Sequence, residues 1–346
     1  MKYLAVLGRQ PEISIAELEA TDFCTDIERL GGTQKLAVKL DESPLEYLRG
    51  LPEGKITIGI SDYSRGASRK TAVMEGLKLK KILVRHGRSV RIVESKDAVL
   101  ATATSLHNGL SGRKECKVEL IKTDDGWYRV IGVQDIEAYA KRDQARPARD
   151  AKVGMLPPKL AQILINLCGP LEPGATVLDP FCGTGVVLQE ALLMGYRAYG
   201  TDISERMIEH SEKNLEYFKF DNYKVEVGDA TTFRWEQPID AVACEGYLGK
   251  PMSVAPAEIK LKTEKQECGA IVLGSLKNLA EQIKPGTPVV IAVPAWLRPD
   301  GTYSRLDVLD EIEGMGYNVN NKTREGLLYH RKDQVVARDI IILRKN

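Results

Sequence analysis

The chain has 346 residues, of which 43% are hydrophobic and 28% charged, and its formal net charge is +1. This length predicts two or three domains, and the composition is typical of a globular protein with a substantial core. No apolar run approaches the roughly 20 residues needed to cross a bilayer, so we expect no membrane association. Six scattered cysteines without a Cys-x-x-Cys pair argue against a zinc site or a disulfide framework, and we expect a cytoplasmic protein without a bound metal.

The first half of the chain mixes strand and helix patterns. Strands are predicted at 3–7, 33–40, 55–60 and 90–93, with helices at 14–20, 72–83 and 98–110 between them. Strands at 117–121 and 127–133 flank Asp124-Asp125-Gly126, which is a hairpin signal. These patterns predict a small ferredoxin-like α+β domain over 1–54, a second α+β domain over 55–139, and a polar linker over 140–156.

Positive charge is concentrated between residues 65 and 96, where ten Lys or Arg are opposed by two Glu. A basic block inside a nearly neutral protein indicates a polyanionic partner, although a solvated helix face can carry the same charges. The candidate phosphate contacts are Arg85, Arg88, Arg91 and Lys96.

From residue 157 onward, predicted strands and helices alternate. A helix follows Pro157-Pro158, with Leu160, Ile163 and Leu164 on one apolar face. Strands are predicted at 176–178, 198–200, 224–227, 239–243, 289–293, 317–319 and 340–343, and helices at 186–194, 206–218, 270–282 and 306–315. Such alternation predicts an α/β domain over 157–346, built on a mostly parallel, doubly wound sheet.

The stretch from 177 to 185, Val-Leu-Asp-Pro-Phe-Cys-Gly-Thr-Gly, joins a predicted strand to a helix through a glycine turn. Glycines at 183 and 185 allow the backbone to approach a ligand, and the following helix offers N–H groups to a carboxylate. Asp179 can accept from an ammonium of the same ligand, and Pro180 lies beside it. A methionine-like group would satisfy both contacts.

Two further acids follow the next two predicted strands. Asp202, next to Ile203, is placed to accept from ribose hydroxyls, and Asp229, next to Ala230, from an adenine amine. The three acids at successive strand ends predict an S-adenosylmethionine site. A nicotinamide dehydrogenase is the competing interpretation, but its fingerprint requires a glycine at position 188, where this chain has Leu188.

The motif from 179 to 185 resembles that of the THUMP-containing tRNA guanine-N2 methyltransferases. The stretches 146–161, 97–110 and 329–338 are similar to the linker and first catalytic helix, the THUMP module and the terminal hairpin of that family. The resemblance implies ferredoxin-like, THUMP and class I methyltransferase domains, with tRNA as partner and S-adenosylmethionine as cofactor. It also implies methylation of the exocyclic N2 of a guanosine.

Enzymes that methylate exocyclic amines usually carry Asp/Asn-Pro-Pro-Tyr/Phe after the fourth strand, to hold the amine and stack on the flipped base. Here the stretch from 244 to 249 is Cys-Glu-Gly-Tyr-Leu-Gly. We predict that Glu245 accepts from the amine and that Tyr247 stacks on the base; the other register places Cys244 at the acid position. Loss of catalysis, leaving a tRNA-binding protein, and methylation of adenine N6 in DNA are the alternative functions.

Overall fold

The computed structural model describes residues 1–149, 155–320, 327–331 and 334–346. Residues 150–154 of the predicted linker, and residues 332 and 333 of the hairpin that resembles the family's, lie outside this part. The chain divides into two compact units, one of residues 1–9 and 24–138 and the other of residues 10–23 and 139–346. Within the described ranges, no helix is long and apolar enough to cross a membrane.

The strands are β1 (Tyr3–Leu7), β2 (Thr33–Lys39), β3 (Ile56–Asp62), β4 (Val90–Val93), β5 (Lys117–Thr123), β6 (Gly126–Val133), β7 (Thr176–Asp179), β8 (Arg197–Asp202), β9 (Tyr223–Val227), β10 (Ala241–Glu245), β11 (Pro288–Leu297), β12 (Tyr303–Arg305), β13 (Tyr317–Val319), β14 (Leu328–Tyr329) and β15 (Val336–Lys345). The helices are α1 (Pro11–Ala20), α2 (Pro44–Arg49), α3 (Arg69–Arg85), α4 (Thr102–His107), α5 (Ile136–Gln144), α6 (Pro158–Leu167), α7 (Val186–Leu193), α8 (Glu205–Tyr217), α9 (Glu258–Ala280) and α10 (Leu309–Gly314).

The first unit is built on a six-stranded sheet in the order β1-β2-β6-β5-β3-β4. Helix α3 packs on this sheet through a small apolar face that includes Ala72, Leu79 and Leu83. The predicted hairpin is confirmed, since Thr123 of β5 pairs with Gly126 of β6. Strands on both sides of the predicted boundary at residue 54 belong to this sheet, so that boundary divides one hydrogen-bonded layer.

The second unit is built on a nine-stranded sheet. Its main path runs β13-β15-β11-β10-β7-β8-β9, with β12 paired to β11 and β14 to β15. Strands β11, β10, β7, β8 and β9 are parallel, and β15 is antiparallel to β11. The predicted doubly wound α/β sheet is therefore confirmed. The chain reverses its direction of winding between β7 and β10, which is where such sheets bind ligands.

Three helices differ from the sequence-based expectation. Helix α1 lies in this unit, where Ile13 joins the core formed by α6. Helix α5 continues to Gln144, so the first residues of the predicted linker are helical, and Arg142 pairs with the buried Glu190 of α7. Helix α9 begins at Glu258, twelve residues before the predicted start at 270, because its first turns are too polar to show an apolar period.

Candidate functional site

A cavity of about 900 Å³ lies at the carboxyl ends of β7, β8 and β10 in the second unit. It therefore occupies the point at which the winding of the sheet reverses, and its volume suits a nucleotide-sized ligand. The residues that line it come from six segments: Met155 and Leu156, Asp179–Thr184 with Val186 and Val187, Asp202–Ser204 with Arg206 and Met207, Gly228–Thr231, Glu245–Pro251, and Ala270 with Ile271.

Asp179 ends β7 at the floor of this cavity and is 2% exposed. Its Oδ1 accepts a hydrogen bond from the Phe181 N–H at 3.0 Å, which turns the chain into the glycine loop. Burial raises the pKa of the Asp179 carboxyl well above its usual range, and the nearby charges of Asp202 and Glu245 raise it further. A ligand ammonium at this position would supply the counter-charge that this acid lacks.

The two loop glycines have different roles. Gly183 has φ +51° and lines the cavity, and the nearest neighbour of a Cβ placed on it is the Phe181 carbonyl oxygen, 3.9 Å away. Gly185, with φ +81°, is absent from the cavity lining; a Cβ there would lie 3.0 Å from Ser211 Oγ on α8. The contact of Gly185 with a ligand stays a prediction, whereas its positive φ and its close packing against α8 by themselves explain a glycine at this position.

Asp202 ends β8 and is half-buried at the cavity wall. Its two carboxylate oxygens accept from Gly183 N–H at 3.0 Å and from Ser204 N–H at 2.9 Å. Burial raises the pKa of this carboxyl, and the two N–H bonds oppose that effect. Beside it, Ile203 is 73% exposed, which leaves a large apolar side chain uncovered at the cavity wall where a flat ring could pack.

Asp229 and Ala230 line the cavity beyond the end of β9. Asp229 is exposed, and its Oδ1 accepts from the Thr231 hydroxyl at 2.7 Å and the Thr231 N–H at 2.9 Å. Hydrogen bonds from the Thr231 hydroxyl and N–H lower the pKa of this carboxyl, so it is an ionised acceptor at neutral pH. The structure therefore brings together the three acids predicted from the sequence.

Glu245 ends β10 and lines the same cavity, whereas Cys244 is 1% exposed and is not part of the lining. Arg338 of β15 forms an ion pair with Glu245 through Nε and Oε1. Burial raises the pKa of the Glu245 carboxyl, and the Arg338 charge opposes the shift. Of the two registers, the geometry favours the one that assigns the acid position to Glu245.

Tyr247 follows two residues later and also lines the cavity. Its ring is half-buried against the core formed by β10, β11 and α9, and burial raises the pKa of its hydroxyl. Gly249 has φ +84°, and a Cβ there would lie 2.8 Å from Glu264 Oε2 and 3.3 Å from Cys268 Sγ of α9. The loop after β10 thus follows α9 so closely that a side chain at position 249 would collide with it.

The predicted phosphate contacts lie in the first unit and differ in their surroundings. Arg85, Arg91 and Lys96 are exposed, and Arg91 donates to Asn108 Oδ1 at 3.1 Å. Arg88 is half-buried, and its guanidinium donates to the carbonyl oxygens of Leu51 at 3.0 Å and Pro52 at 2.6 Å. Arg88 therefore has a structural role in holding the chain between α2 and β3.

Arg338 and Arg146 do not line the cavity, but each contacts a residue that does, and neither contact is predicted from the sequence. Arg338 is separated from Glu245 by 93 residues, so no local motif could connect them. Arg146 is 3% exposed and donates to the Thr184 hydroxyl at 3.3 Å, which supports the glycine loop from behind. Gly183, the three acids and the uncovered Ile203 fit an adenosylated amino acid, and together with the sheet they define a class I methyltransferase fold.

Comparison with known proteins agrees with this class. Residues 171–309 match a family model described as "Methyltransferase domain", and residues 109–213 match one described as "DNA methylase". A tRNA (guanine(10)-N2)-dimethyltransferase of Methanothermobacter thermautotrophicus is 39% identical over 115 residues, which are 33% of this chain and 34% of that relative. The chain thus spans about a third of the length of that relative.

A second relative, of the same name, aligns along its whole length. The tRNA (guanine(10)-N2)-dimethyltransferase of Pyrococcus abyssi is 28% identical over 99% of both chains. Among solved structures, TrmN from Thermus thermophilus is 19% identical with a TM-score of 0.46, over 91% of this chain and 84% of that chain.

Proposed function

We propose that the chain transfers the methyl group of S-adenosylmethionine to the exocyclic N2 of a guanosine in tRNA. The observation that carries this proposal is one cavity lined by Asp179, Asp202 and Asp229 on the cofactor side and by Glu245 at the adjoining strand end. The relatives bear out the prediction of a tRNA guanine-N2 methyltransferase. In this reaction the nitrogen lone pair forms the N–C bond, the C–S bond breaks, and the amine loses a proton.

Different cavity residues bind different parts of the cofactor. Asp179 accepts from the ammonium of the methionine part, Asp202 from the ribose hydroxyls, and Asp229 from the adenine amine. Ile203 and Ala230 form the apolar walls, and Pro180 and Gly183 allow the ligand to approach the backbone. When bound, the cofactor supplies the electrophilic methyl group.

Glu245 accepts a hydrogen bond from the guanine amine, which keeps the nitrogen oriented toward the methyl group. This contact strengthens as positive charge develops on the nitrogen, so it contributes mainly to kcat. Tyr247 stacks on the flipped base and thereby contributes to binding as well. Gly246, whose N–H donates to the Ala292 carbonyl oxygen at 2.9 Å, fixes the turn between these two side chains.

The first unit holds the tRNA. We propose that residues 1–54, apart from α1, form a ferredoxin-like part and residues 55–139 a THUMP-like part, and that both contribute strands to one sheet. The exposed cations of the THUMP-like part bind phosphates. Arg85, Arg91 and Lys96 supply sequence-independent affinity, which positions the tRNA without selecting the base. Arg88 contributes indirectly, because its contacts with the Leu51 and Pro52 carbonyl oxygens hold the backbone beside these exposed cations.

Incorporation of tritiated methyl groups into unmodified tRNA tests the proposal. We expect methylation by the wild-type chain, and loss of turnover with retained S-adenosylmethionine binding in Glu245→Ala, because alanine removes the acceptor for the amine. Nucleoside mass spectrometry then identifies the N2-methylated guanosine.

Two results would redirect the proposal. Cofactor binding without methylation of any tRNA pool by the wild type would favour a tRNA-binding protein. Because the DNA methylase model also matches this chain, an adenine amine in DNA is the second candidate. Preferential methylation of DNA in a DNA-versus-tRNA competition would favour it.

A further inference from the structure

We infer that Arg338 is a positioning residue for the methyl transfer, because its ion pair with Glu245 holds that carboxylate in the cavity in an orientation that can accept from the substrate amine. This inference rests on the proposed function. It assigns a role to β15, the strand that pairs with β11 in the sheet.

The backbone on both sides of Arg338 is fixed by the sheet. In β15 the residue pairs with Pro294 of β11 and with Tyr329 of β14. Strand β11 in turn lies beside β10, which ends at Glu245. Arg338 is thus held between β11 and β14, and β11 is the one strand that separates it from β10, which carries the acid.

The side-chain geometry restricts both partners. The Arg338 side chain is 6% exposed and that of Glu245 18%, so water has little access to the pair. Arg338 Nε donates to Glu245 Oε1, and its Nη1 donates to Gln334 Oε1 at 3.2 Å. A planar guanidinium held by two acceptors has little rotational freedom, and it transmits that order to the acid.

This anchoring compensates for the flexibility of the loop. Glu245 is followed by Gly246, and Gly249 lies three residues further on, so no proline ring stiffens the turn. A glutamate also has one more rotatable bond than an aspartate. The contact with Arg338 restricts the rotation of the Glu245 side chain, which neither a proline nor a shorter side chain limits here.

The charges around Glu245 explain why a cation is needed. Asp179, at the end of the neighbouring strand β7, is an acid whose own pKa is raised mainly by burial and further by the charges of Asp202 and Glu245. On the other side, Arg338 and Arg331 lower the pKa of Glu245, which burial raises. Without Arg338, Glu245 would hold its proton to higher pH, and a protonated acid cannot serve as the ionised acceptor.

A second ion pair on β15 provides a matched control. Arg305 of β12 pairs with Asp339, the residue after Arg338, at 3.1 Å, with side chains 26% and 0% exposed. Neither residue lines the cavity. Arg305→Gln therefore breaks a comparable ion pair in the same strand without touching Glu245.

The test measures kcat and KM for tRNA between about pH 6 and 9 in wild type, Arg338→Gln, Arg338→Lys and Arg305→Gln, with S-adenosylmethionine affinity measured in parallel. In Arg338→Gln we expect kcat to fall on the order of 10²-fold at neutral pH, and to recover partly as pH rises because Glu245 ionises later. Arg338→Lys keeps the charge. The acidic limb of its pH–rate profile, which is the pH range over which kcat rises, should therefore stay at the wild-type position. Arg305→Gln should leave that limb in place.

An acidic limb that stays in place in Arg338→Gln, or that moves equally in Arg305→Gln, would overturn the inference while leaving the proposed function intact. If Arg338→Gln folds poorly, Arg338→Lys decides: a limb displaced toward higher pH despite the retained charge would contradict the electrostatic role. A wild type that binds the cofactor but methylates no tRNA would instead overturn the proposed function itself.

Discussion

Replacing Asp202 with alanine should weaken S-adenosylmethionine binding more than the loss of one ribose contact explains. In the structure the Asp202 carboxylate accepts from Gly183 N–H at 3.0 Å and from Ser204 N–H at 2.9 Å. The substitution therefore removes the ribose acceptor and, at the same time, the bond that holds the glycine loop against β8.

The expected size follows from these contacts. A buried polar group left without its partner costs about 1–3 kcal/mol, which here applies to the ribose hydroxyls. Since the loop also loses a charged acceptor, we expect the upper half of that range, or a fall in affinity of about 30- to 150-fold. Asp202→Asn should lie between wild type and Asp202→Ala, because its amide oxygen still accepts from one of the two N–H groups.

Isothermal titration calorimetry with S-adenosylmethionine measures the effect. Asp240→Ala is the control, since Asp240 Oδ2 also accepts from a backbone N–H, that of Thr176 at 2.8 Å, but precedes β10 at the opposite end of the strand. The control should lose stability while keeping its affinity. Equal affinities in Asp202→Ala and wild type, with both proteins folded, would refute the assignment of Asp202 to the ribose.

The remaining predictions concern the loop after β10, the basic block and Asp179. Gly249→Ala should destabilise the fold by about 1–3 kcal/mol in urea unfolding, because it combines φ +84° with a collision at Glu264 Oε2. Replacing Arg85, Arg91 and Lys96 with alanine should flatten the salt dependence of tRNA binding by about 0.9 per lost phosphate contact. At a pH below the raised pKa of Asp179, cofactor binding should release a proton, seen as buffer-dependent calorimetric heat, because the ligand ammonium lowers that pKa.

Each of these has a control within the chain. Gly286→Ala has a similar φ of +86° but open space at the Cβ position, so an equal cost in both glycine variants would rule out the collision. Arg88→Ala should lower stability, since it loses two carbonyl contacts; an unchanged salt slope in the triple variant would instead assign the block to a solvated surface. In Asp179→Asn proton release should disappear, and its persistence would point to another group.

Local patterns were sufficient to predict much of the second unit. The apolar face of α6 and the turn at 179–185 depend on neighbouring residues, and the structure places both as expected. The three strand-end acids meet because parallel strands end at one edge of a sheet, so their proximity follows from the alternation of elements alone. Glu245 reaches the cavity by the same rule.

What the sequence could not predict depends on contacts between distant segments. Gly185 lies in a loop whose sequence is typical of ligand binding, but its packing against Ser211 follows from the position of α8. Arg88 belongs to a basic block by composition, yet its guanidinium is occupied by carbonyl oxygens 36 and 37 residues away. The pairing of Arg338 with Glu245 requires the order of strands in the sheet, which no local pattern specifies.

The position of helix α1 restricts where the chain can be divided into fragments that fold on their own. The backbone leaves the first unit after β1, adds α1 to the second unit, and returns to form β2. A fragment beginning at Tyr139 would lack Ile13, which is 1% exposed in the core with α6, and would leave Asn166 without the Glu17 carboxylate that it contacts at 2.7 Å. The second unit is therefore not an excisable module, and recombination that exchanged the N-terminal half would also replace part of the core of this unit.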